Sequence, residues 1–116
     1  MQPKYALFAF QGEMMCFAHV LLHAIDMNEK GYDVKIIIEG SATKLISDLA
    51  DPKKPFAAIY SKVKSLGLID CICKACATKM GTLHEAETQQ LKIHGDMSGH
   101  PSMTQYISNG YQIISF

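Results

Sequence analysis

The run Val34-Lys35-Ile36-Ile37-Ile38 constrains this chain more than any other feature. It is rich in β-branched residues and too short for a helix. Its apolar residues do not strictly alternate with polar ones, so it reads as a strand buried on both faces, the habit of a parallel sheet. Tyr5 to Phe10 and Leu68 to Ile72 are runs of the same kind. Between the first two, apolar residues recur at helical spacing (Met14, Phe17, Leu21, Ala24, Ile25), and Gly31 follows as a stop. Further on, Ser41 is suited to cap a helix over 42–49. The prolines at 52 and 55 exclude helix between them. Residues 56–66 and 74–79 read as helices ended by Gly67 and Gly81, and 82–90 as a helical turn or loop. A weak fourth strand spans 91–94. Pro101 fits the first turn of a helix to Ser108, and Tyr111 to Phe116 makes a last strand. Strands alternating with helices imply parallel pairing through right-handed crossovers. The expected fold is a three-layer α/β/α domain with a mainly parallel five-stranded sheet, one domain over 1–116.

Charge narrows the partners. Lysine plus arginine and aspartate plus glutamate number 11 each, so no global field draws in a polyanion, and no basic stripe with interleaved aromatics marks a nucleic-acid surface. The apolar run near the N-terminus is shorter than a signal-peptide core, and nothing approaches the roughly 18 apolar residues of a membrane helix. The expectation is a cytoplasmic protein with no membrane partner, whose four cysteines are thiols at rest.

Ligands of open α/β sheets bind beyond the carboxyl ends of the strands. Those ends are Gln11-Gly12-Glu13, Glu39-Gly40, Cys73 to Cys76, and Gly95 to His100. The rim so formed brings Gly12, Glu13, His19, Glu39, Gly40 and His100 toward Cys73 and Cys76. The two cysteines form C-x-x-C at a strand-to-helix junction, where helix-start amides and Lys74 favour a thiolate. Such a thiolate suits disulfide exchange or acceptance of sulfane sulfur as a persulfide. In this reading Cys73 is the outer, partly exposed nucleophile, Cys76 resolves it, and Cys71 lies deeper in the strand. His100, before Pro101, is either an acid/base over the rim or a residue of the helix cap.

Two metal readings compete. Cys71, Cys73, Cys76 and His84 number four zinc ligands, but a second C-x-x-C knuckle is missing. Cys16, His19 and His23 share one helical face at spacings that can bind metal. Neither displaces the thiol reading, which requires no metal and no cofactor. Nucleotide-binding and hydrolase motifs, G-x-G-x-x-G, the P-loop and G-x-S-x-G, do not occur.

Several segments together resemble the DsrE/DsrF-like family of small sulfur-relay proteins, related to the TusD-type subunits. They are Gly12 to His19, Val34 to Gly40, Cys73-Lys74-Ala75-Cys76-Ala77 with Gly81, Gly99 to Ser102, and Gly110 to Phe116. The likeness covers nearly the whole chain. It implies a three-layer α/β/α fold, a homo-oligomer (often a trimer or hexamer), and a cysteine that carries sulfur between a donor and an acceptor protein. The family cysteine precedes a glycine by a spacing that Cys73 and Gly81 reproduce. The chain departs from the sulfur-relay subunits at Lys79-Met80, where they favour an arginine-rich turn, and in adding Cys76. The alternative on the same fold is a non-enzymatic ligand- or metal-binding module.

Overall fold

The computed structural model describes residues 2–116. Its five strands are β1 (Lys4–Ala9), β2 (Asp33–Ile38), β3 (Ile69–Cys73), β4 (Ile93–His94) and β5 (Gln112–Ser115). All pair in parallel, in the order β4-β3-β2-β1-β5. The helices are α1 (Met14–Glu29), α2 (Leu45–Leu49), α3 (Ala57–Ser65), α4 (Lys74–Lys79), α5 (Leu83–Thr88) and α6 (Met103–Ser108), and a 3-10 turn over Gly40–Lys44 precedes α2. The expected five-stranded parallel α/β fold is therefore the observed one, with β2 at its centre.

Steric handedness explains the layers. From β1 to β4 the chain steps in one direction across the sheet, so right-handed crossovers place every intervening helix on one face. There Phe17, Leu21, Ile46, Tyr60, Val63 and Ala77 pack on Leu7, Ile36, Ile38 and Ile72. The last connection runs back over the sheet to β5 and puts α6 on the other face. The core on that side is smaller: Tyr106 and Tyr111 with Ala6, Phe8, Ile37 and Cys71. The third layer is thus a single six-residue helix.

Some boundaries differ from expectation. Ser41 does not cap a helix; its hydroxyl donates to the Phe10 carbonyl, 3.2 Å away, and the chain takes the tighter 3-10 turn before α2. Phe56 is the left-handed residue that starts α3 rather than part of it. Pro101 precedes Ser102, the N-cap of α6. The polar stretch after Gly81 does form a helix, α5, which buries Ala86.

Strand β3 carries a register shift. Ile36 pairs with Ile69 but Ile37 pairs with Cys71, so Asp70 is an extra residue on that strand, the arrangement of a β-bulge. The Tyr106 hydroxyl meets both bulge residues. It donates to the Asp70 carboxylate at 2.5 Å and lies 3.4 Å from Cys71 Sγ.

Gly40 has no room for a side chain. Its φ is +55°, and a Cβ would sit 2.8 Å from the Phe10 carbonyl oxygen. Gly40→Ala should lower stability by about 1–3 kcal/mol through the left-handed strain and the clash, read as a lower midpoint in urea at unchanged slope.

Candidate functional site

Three elements deliver the site. β2 ends at Ile38, and the Glu39 amide donates to the Ala9 carbonyl, which fixes Glu39 just past the strand. β3 ends at Cys73, which is also the N-cap of α4: its sulfur accepts from the Cys76 amide at 3.4 Å. The third is the turn Met97-Ser98-Gly99-His100. Met97 and His100 exchange both backbone hydrogen bonds, at 2.8 and 2.9 Å, and the two central residues have positive φ (Ser98 51°, Gly99 92°), the signature of a type I′ turn. The turn rests on the start of α4. The Ala75 amide donates to the Gly99 carbonyl at 2.8 Å, and a Cβ on Gly99 would come within 3.0 Å of Ala75 Cβ.

These elements converge on one atom, His100 Nδ1. It lies 3.1 Å from Cys73 Sγ, 3.7 Å from Cys76 Sγ and 3.6 Å from Glu39 Oε1. Glu39, Cys73, Cys76 and His100 each offer one atom, and all four atoms lie within 4.8 Å of one another. Beside the cluster opens a cavity of about 420 Å³, lined by Phe10, Met97, Pro101 and Met103 together with Cys76 and His100. Its lining is mostly apolar, with a few polar groups, as in small-molecule sites.

Burial sets the electrostatics. Desolvation pushes the Glu39 carboxyl up from its ordinary range, against the opposing pull of His100 and Cys73. Burial likewise pushes the Cys73 thiol up to about 12, although the Cys76 amide works the other way.

Cys73 therefore departs from expectation. It is 0% exposed and held toward the thiol form, because the strand is still buried where it meets the helix. Cys76, one turn later, is the half-exposed member of the pair. Cys71 is buried as expected, and burial raises its thiol to about 12. Glu39, Gly40 and His100 line the same cavity as Cys76.

Glu13 and His19 stand apart from this cluster. The Glu13 carboxylate caps α1, accepting from the Met15 and Cys16 amides. His19 is exposed, its Nδ1 2.7 Å from the Met15 carbonyl of its own helix. Gly12 supports the rim only by permitting contact: a Cβ there would lie 2.8 Å from the Ser41 carbonyl oxygen and Lys44 Cε. Neither earlier metal set assembles among the described residues. The His84 side chain is 95% exposed and faces Glu87, and the His23 ring lies tilted beside Phe116, 6.2 Å between centroids. A second small cluster, Asp70, Cys71 and His94, sits around the bulge.

The fold and the site define a parallel α/β protein with a dithiol, an imidazole and a carboxylate gathered at the carboxyl rim of its sheet. The chain belongs to the same family as the uncharacterized protein MJ0733 of Methanocaldococcus jannaschii. The two are 34% identical over 118 aligned residues, 98% of this chain and 94% of that protein. An uncharacterized protein of Archaeoglobus fulgidus is 46% identical over 43 residues, 37% of this chain and 70% of its own length. No family model matches the chain, and no solved structure matches it.

Alkylation at limiting reagent should mark Cys76 before Cys71 and Cys73, since a buried thiol is both shielded and un-ionised at neutral pH. Cys71 should react only after unfolding. Peptide mapping by mass spectrometry gives the order, and early labelling of Cys71 in the native protein would contradict its burial. Glu13→Ala should lower the thermal midpoint while leaving that labelling order unchanged.

Proposed function

We propose that this protein accepts sulfane sulfur as a cysteine persulfide and passes it on, as an intracellular sulfur carrier of the DsrE/DsrF-like kind. One observation carries the reading: the half-exposed Cys76 thiol opens on an apolar-walled cavity with His100 Nδ1 3.7 Å from its sulfur and Cys73 behind it. Burial favours Cys76 as the outer, accepting thiol and Cys73 as the inner one, the reverse of the order expected from the family spacing.

The step balances without an added oxidant. His100 takes the Cys76 proton, and the thiolate attacks the terminal sulfur of a donor persulfide. The donor's S–S bond breaks, a new one forms on Cys76, and the donor leaves as a thiolate that recovers the proton. An acceptor thiolate then removes the sulfur in the same way. Attack by Cys73 on the Cys76 inner sulfur is the alternative release, giving a Cys73–Cys76 disulfide and hydrosulfide. The buried Glu39 beside the imidazole stabilises its protonated form during the exchange.

The same reading includes a reducing, cytoplasmic location for the free thiols, and protein donors and acceptors. It also includes a homo-oligomer, a trimer or hexamer. Leu22 and Ile107 lie exposed on helices of opposite faces, and Met103 at the cavity mouth is also exposed, which favours association. Among the described residues no helix is long and apolar enough to cross a membrane.

Intact-mass analysis of the metal-free, reduced protein after incubation with a low-molecular-weight persulfide should show an adduct of about 32 Da, one sulfur, that reductant removes. Cys76→Ser should abolish it and Cys71→Ser should leave it. An adduct retained in Cys76→Ser would move the carrier role to another thiol; no adduct on the wild-type chain would end the reading. Sedimentation at working concentration tests the assembly, where a monomer alone would count against it.

A further inference from the structure

We infer that Glu39, Cys73, Cys76 and His100 form a tetrahedral zinc site. The inference stands on their mutual geometry and does not depend on sulfur carriage.

Zinc bonds of about 2.3 Å to sulfur and about 2.0–2.1 Å to nitrogen or oxygen give tetrahedral edges of roughly 3.5 Å from nitrogen to sulfur and roughly 3.4 Å from nitrogen to oxygen. The edges measured from His100 Nδ1 are 3.1 and 3.7 Å to the two sulfurs and 3.6 Å to the Glu39 oxygen. These three edges lie within a few tenths of an ångström of the tetrahedral values. The remaining separations do not exceed 4.8 Å.

Two thiolates and an imidazole select zinc over the hard, oxygen-seeking cations. The carboxylate completes four ligands, and a divalent ion offsets two of the three negative charges this set carries when bound. Among the described residues the ion-pair partner of Glu39 is His100, and no lysine pairs with it. A carboxylate 6% exposed therefore has no other strong cation to meet, and buried charges are paired or coordinate metals.

The ligands are supported from behind. The Cys76 amide points at Cys73 Sγ, a hydrogen bond that favours a thiolate ligand. The reciprocal hydrogen bonds of the Met97–His100 turn and its seat on Ala75 hold the imidazole backbone in place. The ligands come from the ends of β2 and β3 and from the loop after β4, so the ion would tie three strand ends together. This set is neither of the two read from sequence, since Glu39 and His100 lie far from the cysteines along the chain.

The experiment uses the full chain, reduced and stripped of metal. Zinc titrated in competition with a chromophoric chelator should bind at one equivalent per chain. Cobalt(II) should give the intense visible bands of tetrahedral coordination together with thiolate-to-metal charge transfer. Cys76→Ser and His100→Gln, both at half-exposed positions, should each weaken zinc at least about tenfold, and Cys76→Ser should diminish the charge-transfer band. Cys16→Ser and His23→Gln should change neither. Cys73→Ser is the less decisive variant, because that side chain is buried and its loss can cost folding. Substoichiometric zinc, octahedral cobalt, or unchanged affinity in both Cys76→Ser and His100→Gln would overturn the site. Sulfur loading is read on the metal-free chain, so the two readings fail separately. Stoichiometric zinc with no persulfide sinks sulfur carriage alone, and a persulfide with no zinc sinks the metal site alone.

Discussion

The return of the chain from β4 to β5 is the constraint on which the rest of the structure depends. Three crossovers in one direction load five helices onto one face of the sheet. Only the fourth, long connection can cover the other, and it must leave β4 at the edge and arrive beyond β1. Its path passes over the carboxyl ends of the strands, where the 95–101 segment delivers His100 beside the ends of β2 and β3. A sheet that ended at β4 would leave Cys73 and Glu39 without the imidazole and would leave Phe8, Ile37 and Cys71 facing water. The same connection supplies Tyr106 and Tyr111 of the smaller core and His100 of the four site residues.

Much of this was legible in the residues. The central strands announce themselves because β-branched runs bounded by glycine have few other solutions, and α1 because its apolar positions recur over four turns. What the periodicities do not encode is depth. Cys73 sits at a strand-to-helix junction, and such junctions are commonly open. Here the Met97–His100 turn lies against α4 and Glu39 closes the neighbouring strand end, so the sulfur is covered. Burial by segments distant in sequence leaves no local pattern, so the depth of Cys73 is not legible in its neighbours. β4 was weak as a sequence signal because it is two residues long and held by pairing with β3, not by its own propensity.

At Glu13 the ambiguity is local. An acid directly after a strand reads equally well as a rim residue or as a helix cap, and only its bonds to two α1 amides decide. Glu39, in the matching place after β2, has no such amides to meet. It turns inward and finds His100. Two acids in equivalent positions thus separate by what the following residues do: the turn after Glu13 enters α1 directly, whereas Gly40 bends the chain away into a 3-10 turn. The difference lies in a glycine with positive φ pressed on the Phe10 carbonyl, a feature whose structural weight exceeds its size.

The third layer being one short helix has a mechanical consequence. α6 begins three residues after His100, and Pro101 stiffens the link between them. Tyr106 anchors the helix through its hydroxyl to Asp70 and Cys71, one strand residue short of Cys73. The helix is therefore tied to the site along two paths: through Pro101 to the imidazole-bearing turn and through Tyr106 to the strand that bears the thiols. Both ties end at the same cluster, so α6 cannot shift as a rigid body without one of them giving way.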